Sequence, residues 1–137
     1  RFFADRYHHA KEENILFKYF DESLDIIQTM LIDHDHARGY VKAIMKDLEK
    51  QNQGRVAENL NAYQELLSEH IKKEDEILYV WMDRNLSTRQ VGELFSRFSD
   101  ADNQSDIGVI TRCRDFVKTL EERFQHNIIP AAEQVKE

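Results

Sequence analysis

Apolar residues recur along this chain every three or four positions, the period of a helix with one buried face. The first such segment is predicted over about Asp5–Phe20, with Ala4, Ile15, Leu16 and Tyr19 on one stripe. A second runs from about Leu24 to Lys50 on Leu24, Ile27, Leu31, Val41, Met45 and Leu48. A third spans about Val56–Asp83 on Val56, Leu60, Tyr63, Leu67, Ile77, Leu78 and Trp81. A short fourth helix opens at Ser87 and reaches about Ser99, and a last one covers about Ile107–Asn127 on Phe116, Val117, Leu120 and Phe124. The punctuation agrees with these spans. Ser23 is a candidate N-cap, Gly54 stands where a C-cap is expected, and Ser87 with Gln90 has capping-box spacing. "SDADNQSD" reads as a loop, and Pro130 closes the last helix. No stretch alternates with the period of a strand. Long helices on short connections pack antiparallel. The expected fold is therefore all-α: an up-down bundle over residues 1–100, with residues 101–137 as a linker and an extra C-terminal helix packed on it, one domain overall.

Composition narrows the possibilities. One proline and four glycines in 137 residues leave few breaks, which favours long helices. A net charge of −7 without a basic stripe makes nucleic acid an unexpected partner. The apolar runs are too short to span a bilayer, so no membrane segment is expected. Cys113 is the only cysteine, which excludes an internal disulfide and any CxxC motif, and a reducing cytoplasm is the expected setting. The chain opens at Arg1 with no initiator Met and no visible signal peptide, as it would after removal of an upstream piece.

The polar residues inside the stripes change the picture most. At 100° per residue, His8 and Glu12 fall mid-stripe in the first helix, with His9 and Glu13 toward one edge. His34 and Arg38 lie near the centre of the second stripe, whereas His36 projects to the opposite side. His70 and Glu74 lie at the centre of the third. A lone inward histidine is more often a hydrogen-bonded core residue than a ligand. Two inward HxxxE pairs and a further inward histidine are another matter, because buried carboxylates are costly unless paired or coordinated. Neutral imidazoles and carboxylates hold divalent metal, whose charge offsets theirs. The candidate metal-binding residues are His8, Glu12, His34, His70 and Glu74. His36 and His126 are expected on the solvated surface, His9 outside the ligand set, and Cys113 in packing. Tyr19 and Tyr63 are candidates for donors to the ligands, and inward Arg38 needs a carboxylate or an opening in the bundle.

"HHAKEE" and "HIKKED" are thus one phrase written twice. Together with "MLIDHDHARGYV" they resemble the hemerythrin-like, or HHE cation-binding, family, whose second to fourth helices match "FFADRYHHAKEENILF", "MLIDHDHARGYV" and "LLSEHIKKEDEILY". The likeness extends to about residue 100. It implies a four-helix bundle holding two non-haem irons. His8 with Glu12 and His70 with Glu74 would each supply a terminal imidazole and a bridging carboxylate, and His34 a third imidazole. Two departures stand out. Arg38 occupies the position where oxygen carriers have a second histidine, which favours the six-ligand relatives. The family's first helix, with its own histidine, has no counterpart here. A sixth ligand from an upstream helix, His9, His126 or another chain stays open, as do residues lost near Asp21. A homodimer through the uncovered face is one expectation.

The function the resemblance implies is a non-haem di-iron protein binding O₂, NO or peroxide, for sensing, iron handling or oxidative and nitrosative defence. Repair-type relatives carry an N-terminal cysteine motif absent here. The rival readings are a helical structural or interaction module with a vestigial site, and a dinuclear Mn or Zn protein of hydrolase type. Whether the chain is an enzyme is left open.

Overall fold

The computed structural model describes residues 2–104 and 107–125, which form five helices, the first four joined by short connections. The first, α1 (residues 2–19), is wound unusually. Phe2–His9 and Glu12–Leu16 close i→i+5 hydrogen bonds, and Phe17–Tyr19 ends the rod in a 3₁₀ turn. Helix α2 is Asp25–Glu49. Helix α3 (residues 53–85) is regular over Gln53–Lys73, widens to i→i+5 across Glu74–Leu78, and is regular again at Tyr79–Asn85. Helices α4 (Thr88–Gln104) and α5 (Ile107–Gln125) follow.

The helix ends show what local chemistry does. Asp21 Oδ1 accepts both the N–H and the hydroxyl of Ser23, at 2.9 and 2.7 Å. Ser23 is therefore held in that turn, and Leu24 becomes the uncapped N-cap of α2, contrary to the expectation. Gly54 is not a C-cap either. Gln51 takes the left-handed conformation (φ 54°), and Asn52 caps α3 by accepting the Arg55 N–H at 3.2 Å, so Gly54 lies inside α3. The capping box is present: the Gln90 N–H donates to Ser87 Oγ at 3.3 Å and the Ser87 N–H to Gln90 Oε1 at 2.9 Å. Helix α4 continues to Gln104, through most of the stretch expected as a loop. Its polar composition is overridden by a tertiary anchor, Lys11 Nζ to Asp102 Oδ1 at 2.8 Å. Pro130 and His126 lie outside the described residues.

Side-chain pairings give the directions. Asp5 meets Arg38 and Glu13 meets His34, so α1 and α2 are antiparallel. Asp47 meets Asn59 and Asp33 meets Lys73, so α2 and α3 are antiparallel. Glu12 meets Tyr79 and His8 faces Glu74, so α1 and α3 run parallel. Helix α4 lies antiparallel to α1 through Lys11–Asp102 and Arg97 over Tyr19, and α5 rests on the first half of α1.

The closed end of the bundle is apolar. Leu16, Phe17, Ile27, Met30, Leu78, Met82 and Leu94 are buried together, flanked by Phe20 against Trp81. The other end is open. A cleft of about 680 Å³ runs beside α2, lined by Ala4, His9, Ala37, Arg38, Met45 and Tyr63 among others. Several expected core residues are accordingly exposed: Leu24, Met45, Leu48, Leu60 and Ile77, and Phe116, Val117 and Phe124 on α5. Met45 faces the cleft. The wide turn at Glu74–Leu78 brings Leu78 and Met82 inward in place of Ile77. Helix α5 touches the bundle mainly through α1, which leaves its own apolar stripe uncovered among the described residues. None of the described helices is long and apolar enough to cross a membrane.

Candidate metal centre

Between the closed end and the cleft lies a layer of buried ionisable side chains: His9, Glu12, Asp33, His34, His70 and Glu74. Sequence spacing put His34, His70, Glu12 and Glu74 inward, and all four are at most 4% exposed. The two α1 histidines differ from expectation. His8, expected mid-stripe, keeps a side chain 42% exposed, and His9, expected at the edge, is 2% exposed. A straight α-helix advances 100° per residue. The i→i+5 winding of Phe2–His9 advances less, so the phase drifts and His9 turns in. His8 still points its Nε2 at the layer, 3.7 Å from Glu12 Oε2 and 3.6 Å from Glu74 Oε1.

One donor atom from each of Glu12, His34, His70 and Glu74 lies within 4.8 Å of the others, and His9, His34 and His70 form an overlapping trio. His34 Nε2 stands 3.3 Å from Glu12 Oε2, and His70 Nε2 stands 2.9 Å from Glu74 Oε1 without hydrogen-bond alignment. The His9 ring stacks on His34 at 3.9 Å.

A second tier fixes these rings. His34 Nδ1 meets Glu13 Oε1 at 2.7 Å, and Glu13 also accepts from Arg38 at 2.6 Å. His70 Nδ1 meets Asp33 Oδ2 at 3.3 Å, and Asp33 also accepts from Lys73 at 2.5 Å. An imidazole that donates Nδ1–H to a carboxylate carries its lone pair on Nε2. Both Nε2 atoms face the layer. Arg38, which the sequence left needing a partner, has three carboxylates: Asp5 at 2.7 Å, Glu13, and Asp35 at 3.0 Å. It also lines the cleft, so both reasons offered for an inward cation apply. Tyr79 donates its hydroxyl to Glu12 Oε1 at 2.5 Å, leaving Oε2 for the interior.

Electrostatics follow from this packing. Burial opposes the charged form of the Glu74 carboxyl, but the facing His70 and His8 outweigh it and hold the pKa well below the usual range. Glu74 in turn raises His8. Burial lowers His70, while Glu74 and Asp33 more than compensate, so its pKa is raised. Burial, with His34, His8 and His70 adding to it, drives His9 down to about 3. Burial and Glu12 push the Tyr79 phenol up.

Five buried atoms have no hydrogen-bond partner among the described residues: His9 Nδ1, Glu12 Oε2, His34 Nε2, His70 Nε2 and Glu74 Oε1, and the last four belong to residues that form one four-donor group. Each such orphan costs about 1–3 kcal/mol if left unmade. Two anionic oxygens and two imidazole lone pairs aimed at one point are what a divalent cation satisfies, so this donor set fits a metal.

The sequence reading missed Glu13, Asp33 and Tyr79. Signals for them were present: the doubled acid in "KEE", the acid directly before His34, and the match of Tyr79 to Phe17 in the repeated phrase. Tyr19 and Tyr63, the expected donors, do other work. Tyr19 packs against the apolar core and Tyr63 lines the cleft. His36 is exposed, as expected. Comparison with curated proteins and with solved structures gives no match. Comparison with protein families gives one: residues 1–82 match the Hemerythrin HHE cation binding domain.

Proposed function

The chain belongs to the hemerythrin HHE cation-binding family, and from that premise we propose that it is a non-haem di-iron protein taking a small ligand, O₂, NO or peroxide, for sensing, iron handling or oxidative and nitrosative defence. The observation that carries the metal reading is the convergence of four buried, unpartnered donor atoms. In this proposal His8, Glu12, His34, His70 and Glu74 are the ligands. Room for two ions is suggested by His8, which lies outside the four-donor group yet faces both carboxylates at 3.6–3.7 Å. Glu12 and Glu74 then have imidazoles on either side, as bridging groups require. Bound iron would supply a redox-active Lewis acid for the small ligand.

The chain's own residues prepare that site. Glu13 and Asp33 hold the rings of His34 and His70, while Arg38 and Lys73 neutralise those outer carboxylates. The apolar residues below exclude water from one side. The same proposal places the protein in the reducing cytoplasm, on its single cysteine. It also covers the open cleft with a second copy of the chain. Anaerobically reconstituted ferrous protein should give new visible bands that saturate with NO. Zinc as the native metal, with no ligand-dependent bands after iron loading, would overturn the iron reading. A chain that stays monomeric at all concentrations would remove the second copy.

A further inference from the structure

The open cleft runs along α2 and takes the rest of its lining from Ala4, Asp5 and His9 of α1 and Tyr63 of α3. Its volume, about 680 Å³, lies in the range of small-molecule sites. The lining stretch of α2, from Ala37 to Glu49, is about 18 Å long at the rise of an α-helix. Its walls are apolar: Ala4, Ala37, Val41, Met45 and the ring of Tyr63.

The charges in this lining do not follow the rest of the molecule. The chain carries −7 overall, yet the cleft holds three cations, Arg38, Lys42 and Lys46, against two acids, Asp5 and Glu49. Asp5 is taken by Arg38, which also holds Glu13 and Asp35. Lys42 and Lys46 are exposed, one turn apart, and in no ion pair among the described residues. Lysine stems lie along apolar surface and keep their charge at its edge. An apolar trough with an excess of one positive charge on its rim matches an alkyl chain that ends in a single anion.

We propose that the cleft binds a single-chain alkyl carboxylate of fatty-acid type, its carboxylate at Lys42 and Lys46 and its chain running inward past Met45, Val41 and Ala37. His9, which lines the cleft and stacks on His34, walls the chain off from the metal layer. The inference rests on neither the metal nor its identity. A second copy over the cleft, as proposed above, closes its mouth without filling its interior.

Calorimetric titration of the full chain with decanoate, below its micelle concentration, tests this. One molecule should bind per chain, with or without metal. Octanoate should bind about 15-fold more weakly, because each buried methylene is worth about fourfold. Decanol and decylammonium keep the chain and change the head, and should bind about 10-fold more weakly or worse. Lys42→Gln combined with Lys46→Gln should weaken decanoate by about 10-fold and leave decanol unchanged. Met45→Glu sets a carboxylate in the trough and should abolish uptake, whereas Ile32→Glu, on α2 outside the cleft, should not. Both side chains are more than half exposed, so the fold tolerates either change. Equal binding of decanoate and decanol would overturn the proposal, and so would equal loss in Met45→Glu and Ile32→Glu. No uptake by the unmodified chain would overturn it too, and a dimer in that same solution would make the second copy the occupant. Decanoate binding by a chain that takes up no metal would overturn the metal reading and leave this one standing.

Discussion

At the scale of single residues, the account separates histidines and acids that a motif search treats alike. His34 and His36 are two positions apart, yet one is wholly buried among donors and the other is exposed. Glu74→Ala should lower metal affinity by about 100-fold or more, whereas His36→Ala should leave it unchanged, both read by metal content after dialysis. Equal losses would show that burial in the cluster does not decide which residues hold the metal. Glu13→Gln and Asp33→Asn keep the size of the outer acids and remove their charge. Each should cost about 10–100-fold in affinity with little change in fold, measured by competition with a chelator. Protonation adds a signed prediction for the metal-free chain. His8 and His70 have raised pKa values, so their stabilisation is complete below 6.5 and fades as pH rises through the raised values. His9 is depressed from 6.5 to about 3, so stability is lost as pH falls across that interval. Glu74 adds a further loss below 4.5. Metal-free protein should therefore show its highest thermal midpoint near pH 6.5. Metal-loaded protein should gain stability toward alkaline pH, because protons and metal compete for the same imidazoles.

At the scale of elements, burial decides which aromatic residues matter. Phe17→Ala should destabilise by about 3–5 kcal/mol in denaturant unfolding, since the ring is buried in the apolar end. Phe116→Ala, on the uncovered stripe of α5, should stay within about 0.5 kcal/mol. The contrast also shows where periodicity was informative. Helix number, order and approximate ends were legible, because long 3.6-residue patterns and the Ser87–Gln90 box are local signals. The inward positions of Glu12, His34, His70 and Glu74 were legible for the same reason. The exchange of His8 and His9 was not, because the wide i→i+5 winding of Phe2–His9 changes the angular step. Asp33 and Tyr79 were missed because each acts on a different helix from its own. The extension of α4 into a polar stretch depended on Lys11, some ninety residues earlier in the sequence.

At the scale of the molecule, a closed apolar end, a charged middle layer and an open cleft succeed one another along one bundle. The middle layer is the least stable arrangement without a cation, since buried carboxylates and orphaned imidazoles stand there together. Structure and metal are therefore linked: ions bound only by the folded chain stabilise it by mass action. The most direct measurement is the metal content of the anaerobically purified chain, together with its thermal midpoint before and after a strong chelator. The account predicts about two iron ions per chain and a midpoint that drops on their removal. A chain that carries no metal, takes up none, and melts at the same temperature with or without chelator would contradict it.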